Sequence, residues 1–281
     1  MNTIEVIDYN ALNVAEAFTR ALKDIGFAVI ANSPVRQALI DEAYRDWYAF
    51  FNSEEKQDYA FDPKTHAGFI SQALSENAKG NAIKDIKEFY HYFEWGPCPE
   101  NLKQVTQALY SDLKNLARTL LQWIDEKTPE DIRQKFSMPL SEMIADDRRT
   151  LFRLIHYPPL TGHEPKGALR AAAHGDINLI TLLTAASAEG LEVLDKKGQW
   201  LPVPHNANWI VVNVADMLQE ATDHYYPSTQ HRVVNPMGEA AKQSRLSMPL
   251  FLHPADDVKL SDRYTAESYR RERFEEIGLA G

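Results

Sequence analysis

Apolar residues recur at helical spacing through ALNVAEAFTRALKDIGF, where Val14, Ala17, Phe18, Ala21, Leu22 and Ile25 form one stripe. Gly26 suits the end of that helix, because a glycine turns left-handed there without strain. Short strands flank it: TIEVIDY before and FAVIAN after. In SPVRQALIDEAYRDWYAFF, Ser33 is placed to cap a second helix, with Pro34 at its first position. Residues 52–84 are polar and mixed, which predicts loops with short turns. KEFYHYFEW reads as a strand, NLKQVTQALYSDLKNLARTLLQWIDEKT as a long amphipathic helix, and 129–148 as one or two shorter helices.

The pattern changes near residue 150. LFRLIHY, INLITLLTA, GLEVLD, ANWIVVNVAD, HRVVNP and SRLSMPLFLH are short apolar runs separated by Pro, Gly, Asn and Asp. Such spacing predicts a β-sandwich or barrel. The tail YTAESYRRERFEEIGLAG reads as a final exposed helix. With no internal repeat or low-complexity linker, the chain reads as one unit over 1–281. Its parts are helix-rich 1–148, a β core over 149–255 and a helical tail over 256–281.

Composition narrows the picture. A chain of 281 residues with 44% hydrophobic residues can close a buried core and a pocket. A net charge of −10 argues against nucleic-acid binding through a broad basic surface. It leaves room for a small anion held by one or two arginines. The single cysteine, Cys98, cannot build a disulfide or a cysteine-based zinc site, and fits a reducing compartment. No stretch reaches membrane-span length and the first residues carry no signal-peptide pattern, so a cytoplasmic protein with no membrane contact and no evident obligate protein partner is expected.

Candidate chemistry begins in AAAHGDINLITLL. His174 and Asp176 are two apart, so on a strand both would face one side and could share a metal ion. His231 in STQHRVVNP is the best third ligand, with His205 and His224 as rivals from the same half. Two imidazoles and a carboxylate with open positions suit Fe(II), and could also suit catalytic zinc. In SRLSMPLF, Arg245 and Ser247 are again two apart; a guanidinium beside a hydroxyl makes a carboxylate socket.

The order His174-x-Asp176, His231, Arg245-x-Ser247 resembles the isopenicillin N synthase-like family of Fe(II)/2-oxoglutarate-dependent dioxygenases. The likeness covers nearly the whole chain, through IEVIDY, IGFAVIAN, FFNSEEK, DIKEFYHYF, FRLIHYPP, EGLEVLDKKGQWLPV, IVVNVADMLQEAT and PSTQHRVVNP. It implies an α+β, mainly β, fold with a double-stranded β-helix (jelly-roll) core, flanking N-terminal helices and a C-terminal helix. It also implies iron on His174, Asp176 and His231, and Arg245 and Ser247 on the distal carboxylate of 2-oxoglutarate, helped by Tyr157. Ile155 stands where the family's motif carries asparagine, Gly175 where threonine is common, and Asn178 where glycine is common. The implied reaction takes O2 and 2-oxoglutarate, releases succinate and CO2, and oxidises, most simply hydroxylates, a small molecule.

For the substrate, Arg170 would share a face with His174 if the strand extends back that far, and could meet an amino acid or other small carboxylate. Phe89 and Tyr90 are expected to supply apolar walls, with plain core packing as the competing reading. Alternatives are an oxidase of the same fold that does not use 2-oxoglutarate, an oxygenase of a larger natural product, a non-enzymatic binding module and a zinc hydrolase.

Overall fold

The computed structural model describes residues 4–74 and 83–276. The start of TIEVIDY, part of the polar segment 52–84 and the last five residues of the tail lie outside the described residues. In chain order the first half gives β1 (Val6–Asp8), α1 (Val14–Ile25), β2 (Phe27–Ala31), α2 (Gln37–Phe51), β3 (Gly68–Ile70), β4 (Glu88–Tyr92) and α3 (Glu100–Lys127), then the short α4 (Glu130–Arg133) and α5 (Leu140–Met143). The second half gives β5 (Leu151–Tyr157), β6 (Ala171–His174), β7 (Ile180–Thr184), β8 (Leu191–Leu194), β9 (Trp200–Pro202) and β10 (Ile210–Val214). It ends with α6 (Asp216–Ala221), β11 (His231–Val233), β12 (Arg245–Leu252) and α7 (Ala266–Glu276).

Two sheets make the core. The larger has the order β1-β2-β10-β7-β12-β5-β4-β3, and the smaller β6-β11-β8-β9. Among the described strands, β1 and β2 pair in parallel and the other strand pairs are antiparallel. Strands of both halves of the chain share the larger sheet. Period-2 alternation divides its faces. Leu154, Leu182, Val212, Met248 and Leu250 point outward and pack under Phe18, Trp47, Leu109 and Leu113 of α1, α2 and α3. The inner face meets the smaller sheet through two apolar clusters. One joins Ile70, Phe89, Ile155 and Tyr157 to Ala171 and Val233; the other joins Phe27, Val29 and Val211 to Val193. Thr181 and Asn213, paired with each other, and Arg245 and Ser247, toward the other end of β12, are buried polar residues of the same inner face. Among the described residues, no helix is long and apolar enough to cross a membrane.

Three local expectations are revised. α2 starts at Gln37, so Ser33 is not its cap; Val35 turns into the core and Arg36 is fixed bidentately to Asp112 of α3. The polar segment 52–84 contains β3, which pairs with β4. His174 and Asp176 do not share a strand, because Asp176 lies in the loop that follows β6. β6 ends at His174 in the smaller sheet, and β7 opens in the larger one.

Candidate active site

His174, Asp176 and His231 offer one ligand atom each, all within 4.8 Å of one another. His174 closes β6 and His231 opens β11, and the two residues are paired across the strands. Asp176 lies in the loop after β6, so the loop brings it into place. The Nε2 atoms of His174 and His231 stand 4.0 and 3.8 Å from Asp176 Oδ1. Their other ring nitrogens are used: Nδ1 of His174 donates to Ala172 O at 2.8 Å, and Nδ1 of His231 to Thr229 O at 3.2 Å. That tautomer leaves both Nε2 lone pairs for an ion. Asp176 Oδ2 accepts hydrogen bonds from Thr181 Oγ1 at 2.7 Å and Asn213 Nδ2 at 2.9 Å, which frees Oδ1. Asp176 is buried, while the His174 side chain keeps 37% exposure, so the cluster opens on that side.

The electrostatics fit a cation site. Burial and the neighbouring His231 push His174 down to about 4, so its ring is neutral at physiological pH. Burial alone would raise Asp176, but the two imidazoles, Asn213 and Thr181 hold its carboxyl below the usual range. The donor set therefore fits a divalent metal of the iron type.

Local folding explains the geometry. The first N–H groups of α6 have no partner within the helix and bind the metal loop instead. Asp216 N–H donates to Asp176 O at 2.8 Å, Met217 N–H to Asn178 O at 3.1 Å, and Ala215 N–H to Leu179 O at 3.0 Å. Asn178 is fully buried and donates to Ile180 O at 2.6 Å and Thr181 Oγ1 at 3.2 Å, which steadies the hydroxyl that holds Asp176. At Gly26, φ is 73°, and a Cβ would collide with Pro227 O and Thr229 Oγ1. That close approach lets Thr229 Oγ1 bond Ile25 O at 2.7 Å, two residues before His231. Removing the Thr181 hydroxyl with Thr181→Val should leave the fold intact and weaken metal affinity by roughly 10- to 100-fold, measured by competition with a chelator.

Arg245 opens β12 and pairs with Tyr157, and Ser247 pairs with Ile155. Arg245, Ser247 and Tyr157 are all buried. The guanidinium lies 5.1 Å from the Tyr157 ring centroid, and its Nε donates to Ala188 O at 2.9 Å. The structure thus brings the metal cluster and the arginine–serine pair to one inter-sheet interior.

The substrate-wall expectations divide. Phe89 faces that interior with Ile155 and Tyr157. Tyr90 cannot share the face, because neighbours on a strand alternate. It packs outward against Trp47, with ring centroids 5.0 Å apart, and donates to Pro97 O at 2.8 Å. Arg170 immediately precedes β6, so the face of His174 cannot be carried back to it by alternation. The β6–β11 pairing slips between Ala171 and His174, which breaks the alternation. Its guanidinium is buried, bonded to Gln243 O at 2.7 Å, and close enough to Arg245 to be depressed by it as well as by burial. His205 and His224 are outside the cluster.

Sequence reasoning missed Arg153. In LFRLIHY it shares the inward parity of Ile155 and Tyr157, and that parity was the available signal. Its guanidinium lies 4.6 Å from the Phe89 ring and 5.5 Å from the Phe251 ring, and Nε donates to His91 Nε2 at 3.0 Å. Phe251 is paired with Thr181, the residue that holds Asp176, so Arg153 is on the metal side of the inner wall. Asp85 was also missed. Its Oδ1 accepts the Ala172 N–H at 2.9 Å and its Oδ2 the Lys87 ammonium at 2.8 Å, so it covers the free edge of β6 beside His174. A surface cleft lined by Trp95, Arg148, Arg149 and Asp256 shares no residue with this centre, and its arginines are already paired with Asp146 and Asp256.

This architecture and donor set are those of a non-haem iron oxygenase. Residues 149–254 match the family described as the 2OG-Fe(II) oxygenase superfamily, and residues 4–112 match one described as non-haem dioxygenase in morphine synthesis N-terminal. A crystal structure of an inferred oxygenase from Shewanella oneidensis is 48% identical, with a TM-score of 0.91 over 99% of this chain and 100% of that one. An inferred 2OG-Fe(II) oxygenase family protein from Caulobacter crescentus is 34% identical, with a TM-score of 0.77 over the same shares. A proline hydroxylase of Petromyces alliaceus is 29% identical over 92% of this chain and 89% of its own length. The chain belongs to the 2OG-Fe(II) oxygenase superfamily. It is a jelly-roll dioxygenase that uses Fe(II), 2-oxoglutarate and O2 on a small molecule.

Proposed function

We propose that this dioxygenase hydroxylates a small carboxylate of amino-acid size and releases succinate and CO2. The observation that carries the reading is one interior with three free ligand atoms at one place and a buried arginine–serine pair at another. In this reading His174, Asp176 and His231 hold the iron, and Arg245, Ser247 and Tyr157 hold the distal carboxylate of 2-oxoglutarate. Iron with bound 2-oxoglutarate supplies the activation of oxygen. The chain's own residues do the rest. Thr181 and Asn213 fix the Asp176 carboxylate, and Phe89 and Ile155 keep water from the inner wall. Arg153, held between two rings and by His91, takes the substrate carboxylate and so sets which carbon faces the metal.

The preference for a carboxylate rests on Arg153 and is supported by the likeness to a proline hydroxylase. The test is substrate-stimulated succinate release over a panel of amino acids and small carboxylates, each beside its amide or methyl ester. Stimulation by the acids alone is expected. With the active acid, Arg153→Gln should raise KM roughly tenfold or more with a smaller change in kcat, as loss of a charged hydrogen bond does. Equal stimulation by acid and ester would overturn the carboxylate assignment.

A further inference from the structure

Arg170 and Arg245 are among the largest fully buried side chains, at 1% and 2% exposure. They approach from opposite sheets. Arg170 immediately precedes β6, and its Nη2 is tied to the carbonyl of Gln243, on the lead-in to β12. Its backbone N–H is fixed by Asn235 Oδ1 at 2.9 Å. Arg245 is anchored through Nε to Ala188 O. After these bonds, Nε of Arg170 and Nη1 of Arg245 are buried without a partner. Among the described residues, neither guanidinium has a carboxylate within ion-pair distance. Two buried like charges with unused N–H groups are costly to fold, unless an anion arrives from outside. Burial first, and Arg245 next, depress the Arg170 guanidinium, which places the two charges in one electrostatic neighbourhood.

We propose that Arg170 is a second guanidinium of the 2-oxoglutarate socket, sharing the distal carboxylate with Arg245 rather than binding the substrate. This rests on the reading of Arg245, Ser247 and Tyr157 as that socket. It also accounts for Ile155. That residue sits opposite Ser247 and offers no polar atom where the resembled family carries asparagine. Arg170 supplies a charged contact from the facing sheet instead. The pair selects a 2-oxo acid that carries a second carboxylate, because a neutral tail leaves both charges unneutralised.

The test needs no knowledge of the substrate. Full-length protein loaded with Fe(II) is titrated without oxygen, with 2-oxoglutarate and with 2-oxobutyrate, which lacks the distal carboxylate. Binding is followed by the visible band of the chelated 2-oxo acid and by calorimetry. Wild type is compared with Arg170→Gln, Arg170→Lys and Arg245→Gln, with thermal melts recorded for each. Arg170→Gln should raise the 2-oxoglutarate Kd by roughly tenfold or more, leave that of 2-oxobutyrate within about threefold, and be partly rescued by Arg170→Lys. An unchanged 2-oxoglutarate Kd in Arg170→Gln, with a raised one in Arg245→Gln, overturns this proposal and keeps the socket. Unchanged Kd values in both variants overturn the socket reading itself. Equal weakening of both acids, with a lowered melting temperature, makes Arg170 a structural residue and also overturns the proposal.

Discussion

Asp176→Ala is expected to yield folded protein that no longer retains iron, with affinity lower by on the order of a hundredfold or more. The carboxylate is the one anion of the cluster, and it is held from behind by Thr181 and Asn213. Two neutral imidazoles alone bind a divalent ion weakly. The substitution also leaves the Thr181 hydroxyl and the Asn213 amide without their acceptor, a cost of about 1–3 kcal/mol. Metal content after desalting measures the first effect, and a thermal melt the second. Iron retained at one per chain would contradict the assignment of Asp176.

Trp47→Ala is expected to give the largest loss of stability, about 3–5 kcal/mol. Trp47 is fully buried where α2 meets α3 and the outer face of the larger sheet. Its ring packs on Phe50 at 5.2 Å, Tyr90 at 5.0 Å and Phe51 at 6.0 Å, and Nε1 donates to Thr106 Oγ1 at 3.0 Å. Alanine leaves a cavity that rigid neighbours cannot fill. For a chain of this size the melting temperature should fall by about 10 °C. Iron content below the transition should stay near wild type, because the cavity opens on the face away from the metal. An unchanged urea midpoint would show that the helical layer does not stabilise the sheet as described.

The larger features were legible because they are written in local periodicity and in ordered motifs. The helical stripe of α1, the alternation of β5 and β12, and the spacing of His174, Asp176, His231, Arg245 and Ser247 are each readable from neighbours in sequence. What was not legible depends on pairing. A slip in the β6–β11 register breaks the alternation by which Arg170 was placed beside His174, and no single-strand pattern announces a slip. Phe89 and Tyr90 look alike in sequence, yet alternation sends one to the pocket and the other under Trp47. Asn213 and Thr181 hid as lone polar residues in apolar runs, and their inward parity becomes informative only once the inner face is known. Asp85 acts on Ala172 from 87 residues away, a contact set by tertiary structure alone.

The central claim is that one interior holds iron on His174, Asp176 and His231 and takes 2-oxoglutarate through Arg245. The most direct measurement adds 2-oxoglutarate to Fe(II)-loaded protein without oxygen and looks for the weak visible band of a chelated 2-oxo acid. The account predicts a band in wild type, none in Asp176→Ala, and a weakened one in Arg245→Ala at equal 2-oxoglutarate. Iron bound with no band at saturating 2-oxoglutarate, or a band of full strength in Asp176→Ala, would contradict it.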